Sequence, residues 1–347
     1  MAKILSIAPD TAGLNAAEAS AVFDAMERFA SYGFNKSHAA AYAAIGFNTA
    51  YLKRHHPEAF FAASMNLAIA DVQAIAVFAG QLKARGLPML APNVNLCDAR
   101  FKPMRGRTRV GVAYGLAALR GMGIPAAQAL VDERTANGRY TSFADLKTRV
   151  GAALGKRGLL ALIQSGACDS ICVSRADAAA LAEEKTAAGG ARQISMFDTD
   201  PELDTRTALP EWSMAEKLDR EFDSLGFWLS AHPLDGFQRS FGAKPVSFVG
   251  ALRGRDTTPR QALVAASVVD WDTKGTKSGG VMAILTLSDP FETFEAVAFD
   301  EAWFAIRDRI KKKATLTFQM APTDDNGELR LMIQGVEPCN VPIRKTA

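Results

Sequence analysis

Apolar and polar positions alternate with two different periods along the chain, and the change of period divides it. Between residues 15 and 85 apolar residues recur three, four and seven apart, as Val22, Met26 and Phe29 and then as Tyr42, Ile45 and Leu52. That spacing predicts helices with a buried stripe. Pro57 fits the first turn of a third helix, "PEAFFAASMNLAI". A further helix, about 71 to 85, stops at Gly86 with Pro88 just beyond. From about residue 262 the period becomes two. "ALVAASVVDW", "VMAILTLSD", "FEAVAF", "ATLTFQM" and "ELRLMIQGV" predict five strands, with one helix, about 301 to 312, after the third.

Five strands with a helix between the third and fourth is the chain order of an OB-type barrel. Upstream, "GLAALRGMGIPAAQALVDER" reads as a helix, a tight turn at Gly121-Met122-Gly123 and a second helix opened near Pro125. "GKRGLLALIQSGACDS" is a weaker echo, with Ser165-Gly166 in the turn. Residues 176 to 212 lose periodicity and read as a linker. A short amphipathic helix comes next, with Ser213 and Glu216 in capping-box spacing. The expected fold class is multidomain α+β. Its divisions are a helical segment over 1–100, tandem helix-hairpin-helix over 101–175, a linker over 176–212, a connecting helical segment over 213–245 and the barrel over 246–347.

Composition narrows the functional classes. Hydrophobic residues make up 48% and charged residues 22% of the 347, an ordinary globular balance. The 40 Lys and Arg nearly cancel the 37 Asp and Glu, so any nucleic-acid surface must be a local patch. No apolar run approaches the roughly 18 residues of a membrane span, and "MAKILSIAPD" is no secretory signal. Cys97, Cys168, Cys172 and Cys339 are too sparse for a disulfide framework and fit a reduced, cytoplasmic home. Cys168 and Cys172 lack a second pair at zinc-like spacing, so ordinary thiols are expected and no metal.

A short Gly turn entering a helix aims several unpaired N–H groups at one spot, and glycine lets a phosphate oxygen come close. Two such turns, flanked by Arg120, Lys156 and Arg157, point to sequence-independent grip on a nucleic-acid backbone through Gly121, Gly123 and Gly166. The alternative for either turn is an ordinary αα-turn. In the linker, Met196 and Phe197 of "QISMFD" have no core to enter, which with Gln193 suits a docking peptide. The alternative is a segment folding back on its own domain. The first barrel hairpin, "DTKGTKSGG", offers Lys274 and Lys277 to an oligonucleotide, with Trp271, Phe294 and Phe299 as aromatic candidates or core. In "YGFNKSHAAAYAAIGF", Asn35 or Ser37 can cap the alanine-rich helix, while Lys36 and His38 add charge for a triphosphate-sized anion. The pairs Asp198-x-Asp200 and Asp270-x-Asp272 sit on no rigid cleft, so no catalytic residue is assigned.

Taken in order, "FASYGFNKSHAAAYAAIGFNTAYLKRHHPEAFFAASMN", "LPMLAPNVNLCDARF", the Gly-turn repeat, "SGACDS", "QISMFD" and "LGFWLSAHPLD" resemble the C-terminal portion of the bacterial DNA polymerase III alpha subunit, a C-family polymerase. "NKSH" and the docking peptide resemble the replicative branch. The resemblance implies that 1–100 is the fingers segment, with Lys36 and His38 near the incoming nucleotide's phosphates. It implies that Gln193, Met196 and Phe197 dock on the sliding clamp, Met196 standing where Leu is usual. The barrel would hold single-stranded template and the Gly turns primer-template duplex. The family's catalytic aspartates and Mg2+ belong to a palm that precedes this region, so the chain alone is expected to be inactive and to bind no cofactor. Alternatives are a split subunit that forms an active polymerase with a palm-bearing chain, and a defective remnant. Other polymerase III subunits are expected partners; a membrane is not.

Overall fold

The computed structural model describes residues 15–32, 36–106, 110–184, 209–235, 240–241, 244–252, 259–276, 279–325 and 328–339. Two compact units divide at Phe60/Phe61. The first holds helices α1 (Ala16–Tyr32) and α2 (Lys36–His55), and α3 (Pro57–Leu67) spans the division. Asn15 and Glu18 cap α1 reciprocally, each side chain accepting the other's backbone N–H at 2.9 Å.

The expected buried stripes are not buried. Val22 and Met26 are 49% and 62% exposed, and Tyr42, Ile45 and Leu52 are exposed as well. The periodicity marks the apolar face correctly, but among the described residues nothing covers it. The side chain of Phe29 lies outside the described residues.

The second unit begins well before residue 100. Asn66 ties α3 to the start of the small sheet, its amide oxygen accepting from Phe101 N–H at 2.9 Å and its amide nitrogen donating to Phe101 C=O at 2.8 Å. The division at 100 expected from the sequence therefore falls inside one packed body. Helix α4 (Val72–Ala84) is capped by Asp71, which accepts from Ala74 N–H, and ends beside Gly86 as expected. The small sheet forms from β1 (Met89–Leu90), β2 (Lys102–Arg105) and β3 (Val110–Ala113), with β3 in the middle. It was not expected from the sequence.

Helices α5 (Ile124–Asn137), α6 (Phe143–Gln164) and α7 (Arg175–Glu183) complete the body. The linker expected over 176–212 thus starts inside a helix: Ala178 and Ala182 bury one face of α7, and Ser174 caps it by accepting from Asp177 N–H. Residues 209–211 return to the same cap, where Ser174 Oγ donates to Leu209 C=O at 2.9 Å and Glu211 accepts from Arg175 N–H. Helix α8 (Met214–Leu225) carries the expected capping box between Ser213 and Glu216.

Two short strands, β4 (Ser240–Phe241) and β5 (Lys244–Ser247), precede the barrel, and β5 pairs with its first strand in parallel. The barrel strands are β6 (Ala262–Gly275), β7 (Val281–Ser288), β8 (Thr293–Phe299), β9 (Thr315–Asp325) and β10 (Glu328–Pro338). Their order is β6-β7-β8-β10-β9, with β9 returning to pair antiparallel with β6 and close the barrel. Among these five strands the β8–β10 pairing is parallel, as Val297 faces Met332. Helix α9 (Asp300–Ile306) lies between β8 and β9, so the five-stranded OB-type barrel expected from the sequence is present. Inward residues alternate along the strands: Val264, Ala266 and Val268, then Ala283, Leu285 and Leu287, with Phe318, Met320 and Ile333 opposite and Trp303 of α9 packed on them.

Lys313, in the turn before β9, holds the barrel against α8. Its Nζ lies 2.6 Å from Asp223 Oδ1 and 3.0 Å from Asp219 Oδ1, and donates to Asp219 C=O at 3.0 Å.

Candidate nucleic-acid interface

The first Gly turn comes after a 3-10 turn at Leu116–Ala118 rather than a full helix. Gly121 has φ +93, a backbone state that side chains avoid. Gly123 occupies the N-cap of α5 with no side-chain cap, so the first amides of α5 have no acceptor inside the helix. Opposite them α6 is broken at Gly155, where φ 62° and ψ 175° interrupt an otherwise helical run. This combination is essentially restricted to glycine. Lys156 and Arg157 start the second half of α6. The two turns meet: Gly121 to Gly123 on one side and Leu154 to Arg157 on the other line a shallow concavity of about 570 Å3. A Cβ on Gly121 would stand 3.6 Å from Arg157 C=O.

The concavity therefore offers free helix-start amides, a positive helix end and two cations. Lys156 pairs with Glu183 at 3.2 Å, but both side chains are mostly exposed. Such a pair contributes about 0–1 kcal/mol and exchanges readily for a phosphate. Arg157 is exposed at the rim.

Of the residues expected to form this grip, Gly121, Gly123, Lys156 and Arg157 come together. Arg120 does not join them. Its backbone N–H donates to Ser224 C=O at 2.8 Å, and its guanidinium turns to Phe222 C=O and packs against Gly226, holding the end of α8. Gly166 does not join them either. It sits over the Arg175–Asp169 ion pair, where a Cβ would come within 2.3 Å of Arg175 Nη2. Its role is to let that partly buried pair close, and the second arm of the hairpin is Gly155. The signal for Gly155 is present in the sequence, since it opens the run "GKRG".

Lys36 and His38 share the first turn of α2, with the His38 ring 4.4 Å from that of Tyr42. Lys274 is exposed near the end of β6. Lys277 and the peptide with Gln193, Met196 and Phe197 lie outside the described residues. Of the barrel aromatics, Phe294 is core, Trp271 is half-buried against it and Phe299 is exposed at 43%. The hollow beside Trp271 is lined by Asp270, Asp272 and Glu295 as well as Lys274. Three carboxylates there oppose a phosphate backbone.

Among the described residues no group of three or more His, Cys, Asp or Glu could hold a metal ion. The cysteines are free, and burial pushes Cys97 and Cys172 up to about 11, which keeps them as neutral thiols. No described helix is long and apolar enough to cross a membrane.

A family model described as a helix-hairpin-helix motif matches residues 86–178, the stretch that builds the concavity. The DNA polymerase III subunit alpha of Thermus aquaticus is 32% identical over 342 residues, covering 93% of this chain and 27% of that protein. Its counterpart in Caulobacter vibrioides is 30% identical over 334 residues, covering 92% and 29%. That of Xylella fastidiosa is 36% identical over 240 residues, covering 65% and 20%. The chain thus spans under a third of the length of these curated relatives. Among solved structures, the SSB domain of a Synechococcus protein aligns with 24% of this chain and 99% of its own at TM-score 0.22 and 11% identity. The second OB-fold domain of replication protein A from Methanococcus maripaludis aligns with 29% and 98% at TM-score 0.21 and 16% identity. The barrel assignment rests on its strand order and closure. Sequence, motif and element order together make the chain a member of the DNA polymerase III alpha-subunit family, matching its C-terminal portion.

Proposed function

We propose that this chain grips DNA for a replicative polymerase, holding duplex by its phosphate backbone while template-directed synthesis is catalysed by residues outside it. The observation that carries this reading is the meeting of Gly121–Gly123 with Gly155–Arg157 around one positive concavity. Its donors are backbone amides and mobile cations, which contact phosphate without reading base sequence. In the same reading Lys36 and His38 approach the phosphates of an incoming nucleotide, and catalytic carboxylates with Mg2+ come from a palm domain. Single-stranded template contacts Lys274 and Lys277 of the first barrel hairpin. Fluorescence anisotropy with primed duplex at low salt tests the duplex contact. Gly121→Glu should weaken binding for every sequence and reduce the slope of log K against log salt by about 1. An unchanged affinity and slope in a folded variant would reject the phosphate contact.

Gln193, Met196 and Phe197 form the sliding-clamp contact in this reading. Two buried side chains contribute on the order of 1.5–3 kcal/mol each, enough for a tether that works beside a second DNA contact. Met196→Ala with Phe197→Ala should abolish binding to the clamp and leave duplex affinity intact. Undiminished clamp binding by the double variant would remove the assignment.

A further inference from the structure

Helix α2 is 20 residues long, and none of them is buried among the described residues. At 3.6 residues per turn, Tyr42, Ile45 and Leu52 fall on one side of it. Tyr51 follows Tyr42 by about two and a half turns and so lies on the opposite side, with Phe47, Arg54 and His55 around it. Phe47 is 70% and Tyr51 50% exposed, and His55 is exposed as well. The ring centroids of Phe47 and Tyr51 are 6.5 Å apart and those of Tyr51 and His55 4.3 Å, so three rings form a ladder along this second side.

Charge separates the ladder from an ordinary solvated surface. Helix α2 carries Lys36, Lys53 and Arg54 and no Asp or Glu. The described carboxylates of this unit belong to α1 and to Glu58 of α3. Cations in the last turn also answer the negative end of a helix, but that role calls for no exposed rings. Rings beside cations suit unstacked bases, the rings supplying stacking and the cations meeting phosphate. At four residues per step the rings advance about 6 Å along the axis, against 3.4 Å per nucleotide on a strand of duplex. That spacing fits an extended single strand, since a duplex keeps its base faces inside. The other side of α2, with the aliphatic Ile45 and Leu52, is the one suited to protein packing.

We propose that the Phe47–Tyr51–His55 ladder of α2 binds an unpaired DNA strand, with bases stacked on the rings and a phosphate on Arg54. That the strand is a polymerase template rests on the DNA-gripping reading; the contact itself needs neither the Gly turns nor the barrel lysines. The test uses the full chain with Lys156→Gln, Arg157→Gln, Lys274→Gln and Lys277→Gln, which removes the cations of those other contacts, and an oligodeoxythymidylate carrying 5-iododeoxyuridine. Long-wavelength irradiation should crosslink the oligonucleotide to Phe47, Tyr51 or His55, read by mass spectrometry. By fluorescence anisotropy on this background Tyr51→Ala should weaken oligonucleotide binding about tenfold. Arg54→Gln should reduce the slope of log K against log salt by about 0.7. Tyr42→Ala, the same change on the opposite side, should bind like the parent. No buried side chain is altered in α2, so these variants keep their fold, which circular dichroism checks. Duplex affinity of the background against wild type judges the Gly turns separately. The proposal is overturned if the crosslink falls outside α2, if Tyr51→Ala binds like the parent, or if Tyr42→Ala weakens binding equally. Self-association lost in Tyr51→Ala with oligonucleotide affinity unchanged would give this side to a protein and overturn it as well.

Discussion

Replacing Gly155 by alanine isolates the backbone strain at the break in α6. No heavy atom lies within 4 Å of the added Cβ, so a clash contributes nothing. The chain then has two options. It can keep φ 62°, ψ 175° with a side chain, at a cost of about 1–3 kcal/mol. Or it can straighten into continuous helix and gain about 1 kcal/mol of propensity. Straightening would pull Leu159, Leu162 and Ile163 out of the core. Each contributes on the order of 1.5–3 kcal/mol by burial, so the packing wins and the kink stays. Gly155→Ala should therefore lower stability by about 1–3 kcal/mol in urea unfolding. Asn tolerates the left-handed helical region, but ψ 175° lies outside it, so Gly155→Asn should fare no better than Ala. A loss below about 0.5 kcal/mol for Ala, or a clear rescue by Asn, would refute the assignment of strain.

Two other perturbations have definite outcomes. Burial first, and the Lys83 ammonium second, lower the His232 pKa from 6.5 to about 3. Between those values the unfolded chain binds the proton that the folded chain refuses, so stability is full above pH 6.5 and is lost as pH falls toward 3. Wild type should lose about 1 kcal/mol more than His232→Asn between about pH 6.5 and 5.5 by denaturant titration, and parallel curves would remove His232 as the source. Asn66→Ala leaves Phe101 N–H and C=O without partners and should cost about 1–3 kcal/mol. An unmoved urea midpoint would show that water replaces both bonds.

The barrel is legible in the sequence because its strands are long and alternate cleanly, as Ala283, Leu285 and Leu287 do. The sheet of β1, β2 and β3 is not, because two- and four-residue strands fall below the length at which a period shows, and Lys102, Pro103 and Arg105 mask what pattern there is. The first arm of the proposed phosphate grip is legible from Gly-Met-Gly. For the second, the sequence points to Gly166 instead of Gly155, because both glycines have positive φ and local sequence does not say which one faces Gly121. Likewise Arg120 is basic and adjacent, yet whether it serves DNA or α8 depends on Phe222 and Ser224, about a hundred positions away. Periodicity in α1 and α2 identifies an apolar face and carries no information about its cover.

The Lys313 contacts with Asp219 and Asp223 have a mechanical corollary. The ammonium bridges the barrel to α8 by charge, beside the apolar contact of Leu234 with Val246, Phe248 and Ala265, while the barrel's own fold is set by oil-like packing. Added electrolyte slackens the first and spares the second. In concentrated salt the Lys313 bridge should loosen well before the barrel core melts.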